Sequence, residues 1–274
     1  MLAATHAVRG ATLLTLLLLT GCGPQALQGR PRGYAQSMDS ATSSCRHAPA
    51  YCTPAPGEPV VVPLARRVVE TGSSAVALLK VLDAATHARI DQVMKHCAEW
   101  ASEEISKKYL KGNRPTVEQC EKQARVDARG QKVTWAMEWG LEKHQTALGC
   151  VHQKLNELWP GSFSLNQRYR YDSATGELAL VSAERVRELV ELKRAAELLG
   201  TLEPDVVIHS GNPRDVLAVY DFKFPCPASN EPQWRRYPEI HPYRNRTQGD
   251  VYEEAFGVSP ARVAPVWGIL RKKI

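Results

Sequence analysis

The chain has 274 residues, 43% of them apolar and 23% charged. That is the composition of an ordinary globular protein with enough apolar mass for a packed core, in one large or two small domains, and not of a chain too polar to fold. The formal net charge is +6, spread unevenly: from Lys223 to Ile274, nine Lys/Arg stand against five Asp/Glu. A basic C-terminal end suits a polyanionic partner, although a slightly basic solvated surface would carry the same charge.

At the N-terminus, Arg9 supplies a positive flank, and Ala11 to Thr20 is a Leu-rich apolar run too short to span a bilayer as a stable helix. It ends in Leu19-Thr20-Gly21-Cys22, which resembles the bacterial lipobox. That resemblance implies that residues 1–21 are a lipoprotein signal peptide and that Cys22 is acylated, with palmitate among its lipids. Gly23 is similar to the pattern sorted to the outer membrane of Gram-negative bacteria; a plain secretory signal is the alternative. Such a lipid anchors a soluble domain to the membrane rather than spanning it. Residues 22–59, rich in Gly, Pro, Ser and Ala, read as a flexible, disordered tether closed by Pro54, Pro56 and Pro59.

Residues 60–115 read as a small helical region without a chemical motif. Val76, Leu79, Leu82, Ile90, Val93, Met94 and Cys97 recur at three- and four-residue steps, and Gly112-Asn113-Arg114-Pro115 ends the pattern. Thr116 to Gln119 fits a capping box opening a further helix, interrupted over 126–130. A long helix is expected from about Lys132 to Trp159, stopped by Pro160-Gly161. Phe163–Tyr171 and Glu177–Val181 alternate around a turn and predict a β-hairpin. Ser182 caps an expected helix over Ala183–Leu199. Two strand-like runs follow, Glu203–His209 and Val216–Phe224, then a short helix over Gln248–Phe256 and a strand-like Arg262–Leu270.

The chemistry lies in the two apolar runs. Asp205 opens the first; Asp221 and Lys223 sit inside the second. Strand side chains alternate, so Asp221 and Lys223 share one face and Tyr220, Phe222 and Phe224 the other. A buried strand tolerates an acid and a lysine only if they pair, bind a metal or line a cleft.

Pro204-Asp205 followed by Asp221-Phe222-Lys223 resembles the PD-(D/E)XK nuclease superfamily, and Gln248-Gly-Asp-Val-Tyr252 is similar to the Gln-x-x-x-Tyr motif of its RecB-like members. The resemblance covers roughly the C-terminal half of the chain. It implies an α+β or α/β fold over 116–274, a mixed sheet flanked by helices, whose first core strand is either Glu177–Val181 or Arg168–Tyr171. The helix over 183–199 departs from the superfamily order. The resemblance also implies a metal-dependent phosphodiester hydrolase in which Asp205 and Asp221 bind Mg²⁺ or Mn²⁺ and Lys223 assists attack by water. A third ligand is expected from a helix Glu. Glu142 is favoured because Gly140 would let its helix approach the sheet, with Glu138 as the alternative. Gln248 and Tyr252, four apart on one helix face, would abut the metal and the nucleic acid. Arg235, Arg236, Arg244 and Arg246, among Trp234, Tyr237, His241 and Tyr243, form a cationic, aromatic loop suited to phosphate contacts and base stacking. His144 and His209 would lie near the cleft. No Gly-rich phosphate loop, Cys-x-x-Cys, His-Glu-x-x-His or Gly-x-Ser-x-Gly motif is present.

Seven cysteines are present. With Cys22 acylated, Cys45, Cys52, Cys97, Cys120, Cys150 and Cys226 remain, and an even number in an exported chain implies disulfides. Fifteen pairings are possible; the expected set is Cys45–Cys52, Cys97–Cys120 and Cys150–Cys226, the last holding the enzyme inactive until reduced. A lipobox, a spacer and a C-terminal nuclease together resemble bacterial polymorphic toxins, and more narrowly the lipoprotein toxins that myxobacteria exchange between outer membranes. That implies a DNase toxin acting in a recipient's cytoplasm and a cognate immunity protein. The alternatives are an RNase of the same fold and a non-enzymatic, disulfide-stapled envelope lipoprotein.

Overall fold

The computed structural model describes residues 82–127, 130–239 and 241–272. The expected signal peptide, Cys22, the tether, Cys45–Cys52 and the first part of the helical region lie outside the described residues.

Helix α1, Ala84–Leu110, starts where the Asp83 carboxylate accepts from the Thr86 amide and ends at Lys111 in the left-handed conformation. Ile90, Met94, Cys97, Ala98, Ala101 and Ile105 form its buried stripe. Helix α2 is a single turn and a half, Val117–Glu121, with the expected capping box at Thr116. The chain then turns back as an antiparallel hairpin, β1 (Gln123–Val126) with β2 (Lys132–Thr134), where continued helix was expected. Thr134 caps helix α3, Trp135–Leu158.

The central sheet has five strands, in the spatial order Gly268–Leu270, Ala261–Ala264, Val216–Phe222, Val206–His209, Phe163–Leu165. These are β3 (Phe163–Leu165), β7 (Val206–His209), β8 (Val216–Phe222), β9 (Ala261–Ala264) and β10 (Gly268–Leu270). Only β8 and β9 run parallel; the other pairs are antiparallel, so the sheet is mixed and the fold α+β. The strand beside β7 is therefore β3, and neither candidate from the sequence occupies that place. Arg168–Tyr171 (β4) and Leu178–Val181 (β5) form the expected hairpin, but with β6 (Thr201–Leu202) they build a separate three-stranded sheet. Helix α4 covers only Ala183–Glu191; the chain breaks at Lys193, which has a positive φ, and resumes as a 3-10 turn. The run Arg262–Leu270 is split into two strands by a turn.

One face of the central sheet, with Val206, Ile208, Ala218, Tyr220, Phe222, Phe224, Ala261 and Val263, packs on α1 and α3. The other face, with Val207 and Val219, packs on Val251, Tyr252 and Phe256 of helix α5 (Gln248–Phe256) and on Tyr169, Tyr171, Tyr237 and Tyr243. The described part of the helical region is thus one wall of this core. No helix among the described residues is long and apolar enough to cross a membrane.

Among the described residues, the disulfides differ from the expected Cys97–Cys120 and Cys150–Cys226. Cys97 joins Cys150, and Cys120 joins Cys226. The reason is helix geometry: Cys97 and Cys150 sit on the facing stripes of α1 and α3, with Cα atoms 5.6 Å apart, within the reach of a disulfide. Replacing Cys97 and Cys150 together by alanine is expected to lower stability by about 4 kcal/mol on chain-entropy grounds, read from denaturant unfolding midpoints; a loss below about 1 kcal/mol would show that helix packing alone holds this wall.

Candidate active site

The site forms where β7 begins and β8 ends, between α3 and α5. Val206 pairs with Tyr220, so Asp205 comes opposite Asp221 just beyond the ladder. The Asp205 carboxylate is fixed through Oδ2, which accepts from the Phe222 amide at 2.7 Å. Asp221 and Lys223 face α5, as the alternation predicts, and the Lys223 Nζ stands 2.6 Å from Asp221 Oδ2. Gln248, the first residue of α5, closes the group: its Oε1 accepts from Lys223 Nζ at 3.0 Å, and its Nε2 donates to Asp221 Oδ1 at 3.3 Å and to the Tyr252 hydroxyl at 3.0 Å. Thr247 positions that glutamine by capping the helix through a reciprocal pair with Asp250. Asp205, Asp221 and Lys223 are all 0% exposed.

Neither helix glutamate is here. Glu142 accepts from Lys108 Nζ at 2.7 Å and from the Tyr109 hydroxyl at 2.5 Å. Glu138 accepts from Arg125 Nε at 2.6 Å. The α3 side chain that reaches the acids is His144, whose Nδ1 lies 3.3 Å from Asp205 Oδ2. Its ring stands edge-on to Phe224 at 5.1 Å. His144 falls on the buried stripe with Leu148, Val151 and Leu155, whereas Glu142 is two residues, about 200°, away from it. That periodicity is present in the sequence and sets His144, not Glu142, on the core side of the helix. His209 lies elsewhere, held by Ser164 Oγ at 3.1 Å and by the Gly211 amide at 3.2 Å.

The electrostatics are those of a buried charged cluster. Burial pushes the Asp221 carboxyl up, against the pull of the Lys223 ammonium. Burial alone would lower His144, but the Asp205 carboxylate outweighs it and holds the imidazole above its usual value. Behind Asp205, the buried Arg168 guanidinium donates to Thr201 Oγ1 at 2.6 Å and to Glu203, whose carboxyl burial raises to about 7. Asp205 Oδ1 and His144 Nε2 are buried and make no hydrogen bond. An acceptor such as Asp205 Oδ1 left without a partner is costly and fits a bound cation or ordered water. As they stand, however, no three His, Cys, Asp or Glu side chains among the described residues converge at metal-ligand spacing.

The loop arginines divide. Arg246 pairs with Glu254, Arg236 donates to the Asn245 carbonyl at 2.9 Å, Arg235 is half-buried and accepts the Gln248 amide at its carbonyl, and Arg244 is exposed. The cation that sequence reading missed is Arg262, the register partner of Asp221 on β9. In a sheet, register partners share a face, so Arg262 belongs to the site side.

No family model matches the chain, and neither does any curated protein or solved structure.

Proposed function

We propose that this protein is a metal-dependent nuclease of the PD-(D/E)XK type, a DNase in the first instance, carried to its place of action as an exported, lipid-anchored toxin with a cognate immunity protein. The carrying observation is the convergence of Asp205, Asp221, Lys223 and Gln248 from two strands and a helix, beside a buried carboxylate oxygen with no partner. A mixed five-stranded sheet with α1 and α3 on one face and α5 on the other is compatible with the mixed sheet flanked by helices that the motifs imply.

Asp205 and Asp221 would hold the cation, with His144 rather than Glu142 as the third side chain. Bound there, a divalent ion supplies charge to the scissile phosphate and acidifies a water. An imidazole nitrogen suits a first-row ion such as Mn²⁺ better than Mg²⁺. The rest is the chain's own work. The Lys223 ammonium offers positive charge where the phosphate gains negative charge as water adds to phosphorus and the ester oxygen leaves. The Gln248 amide holds Lys223 and Asp221 in register, and Tyr252 fixes which way that amide points. The Phe222 amide and His144 orient Asp205.

The test is nicking of supercoiled plasmid by the intact chain and its Trp234→Ala variant, reduced, with Mg²⁺, Mn²⁺ or EDTA. Cleavage is expected with either metal, faster with Mn²⁺, and absent with EDTA. A parallel RNA substrate separates DNase from RNase, because a metal site reads phosphate rather than sugar. If neither polymer is cut in any of these states, the nuclease reading fails. The complete burial of Asp221 and Lys223 would then favour a non-enzymatic envelope lipoprotein.

A further inference from the structure

The Asp205–Asp221–Lys223 cluster is buried, and the arc Cys226–Trp234, at the start of the segment joining β8 to α5, lays an indole over its lysine. The Trp234 ring centroid lies 5.2 Å from Lys223 Nζ. Its other neighbours are Tyr252, edge-on at 6.0 Å, and the Arg262 guanidinium, 6.0 Å from the ring. The indole fits because residue 249 is glycine: a Cβ there would come within 2.6 Å of the ring. Arg262 is occupied as well, donating to the Pro232 carbonyl at 2.5 Å, while its buried Nε makes no hydrogen bond. The arc therefore offers the site an oxygen for its arginine and a flat π face over its lysine. Those are two things that a nucleotide offers, a phosphoryl oxygen and a base.

The attachment of the arc is uneven. Downstream, the Gln248 amide donates to the Arg235 carbonyl at 2.7 Å, and Tyr237 and Tyr243 are buried in the core. Upstream, the arc is held by hydrogen bonds to the carbonyls of Ala228, at 3.3 Å from Trp267 Nε1, and Pro232, and by one covalent tie, Cys120–Cys226 to α2. The two disulfides differ in access. Cys97 is 0% and Cys150 8% exposed, enclosed between α1 and α3, whereas Cys226 is half-buried against a Cys120 that is 2% exposed.

We infer that Cys226–Trp234 is a substrate-mimicking strap, pinned shut by Cys120–Cys226, and that reduction of this bond by a dithiol opens the site and frees Arg262 to bind a phosphodiester. A dithiol's thiolate attacks Cys226 Sγ, and the bond electrons leave on Cys120 Sγ, which takes up a proton. The second thiolate then attacks the dithiol's own sulfur in the mixed disulfide and releases Cys226. The protein gains two electrons and two protons; the dithiol becomes its disulfide. Exported proteins keep disulfides and cytosols reduce them, so the strap would be shut in transit and open at the target. The use of the opened site rests on the nuclease reading; the opening does not.

The experiment is acetylation of Lys223 by an amine-reactive ester, mapped by mass spectrometry, on the intact chain oxidised, treated with dithiothreitol, as Cys120→Ser/Cys226→Ser, and as Trp234→Ala. Plasmid cleavage with Mn²⁺ is read in parallel. Lys223 is expected to be at least tenfold less labelled in the oxidised chain than in the other three, with exposed Lys107 labelled equally in all. Gly249→Ala, which displaces the indole while keeping both disulfides, is expected to match Trp234→Ala and guards against loss of fold in the serine variant. Equal Lys223 labelling with and without Cys120–Cys226, in chains whose unfolding remains cooperative, overturns the inference. Labelling that rises without cleavage in any variant upholds the strap and sinks the nuclease instead. Cleavage by the oxidised chain as fast as by the reduced one upholds the nuclease and overturns the strap.

Discussion

Replacing Lys223 by methionine in the Trp234→Ala background is expected to lower metal-dependent cleavage by about a thousandfold while unfolding remains cooperative. The magnitude follows from the position of the charge. Removing one preorganised electrostatic contact to a developing oxyanion costs about 10²–10³ in rate, and Lys223 also orders Asp221 and Gln248. The competing view is that Lys223 and Asp221 are a structural pair in a strand that happens to be polar. On that view, the variant loses stability, because breaking a buried pair leaves an uncompensated charge at a cost of about 3–5 kcal/mol. On the catalytic view, the loss is smaller. Burial already pushes the Asp221 carboxyl up, so without the ammonium it takes a proton and becomes a neutral hydrogen-bonding group beside the Gln248 amide. Methionine keeps most of the stem that fills the pocket. Single-turnover cleavage and the urea midpoint, measured on the same preparation, separate the two: a large fall in rate with a small shift in midpoint marks a catalytic lysine, and the reverse marks a structural one.

What the sequence disclosed was local. The helix Gln248–Phe256 was legible because Thr247 caps it and Gly257, at positive φ, ends it. The shared face of Asp221 and Lys223 was legible because the period of a strand is two. What it concealed depends on pairing across the chain. Strand β3 is only Phe163-Ser164-Leu165, too short to carry its own alternation, and it merges in sequence with β4, which goes to another sheet. The β1–β2 hairpin was hidden behind a genuine capping box at Thr116 whose helix lasts five residues. The cysteine pairs were hidden because Cys97–Cys150 requires knowing that α1 and α3 face each other. Arg262 was passed over as one cation in a basic tail, and only the parallel register of β8 with β9 brings it alongside Asp221.

His144→Ala is expected to weaken Mn²⁺ binding by at least about tenfold and to remove most cleavage, whereas Glu142→Gln should leave both within about twofold. The geometry sets these two apart. His144 is 5% exposed and stands 3.3 Å from Asp205, with an Nε2 that has no hydrogen-bond partner. Glu142 is engaged by Lys108 and Tyr109 on the outer side of α3, and Lys108 is more than half exposed. An ion pair of that kind contributes at most about 1 kcal/mol, so its loss would register as a small fall in midpoint and nothing at the site. A glutamate that did serve as ligand would have to leave both partners and rotate α3 by roughly half a turn, which the Cys97–Cys150 bond and the packing of Leu148, Val151 and Leu155 oppose. Isothermal titration with Mn²⁺ in the Trp234→Ala background decides the matter without any substrate. Binding lost in Glu142→Gln and kept in His144→Ala would return the third position to the carboxylate; binding lost only with the imidazole makes α3 the histidine-bearing wall of the site.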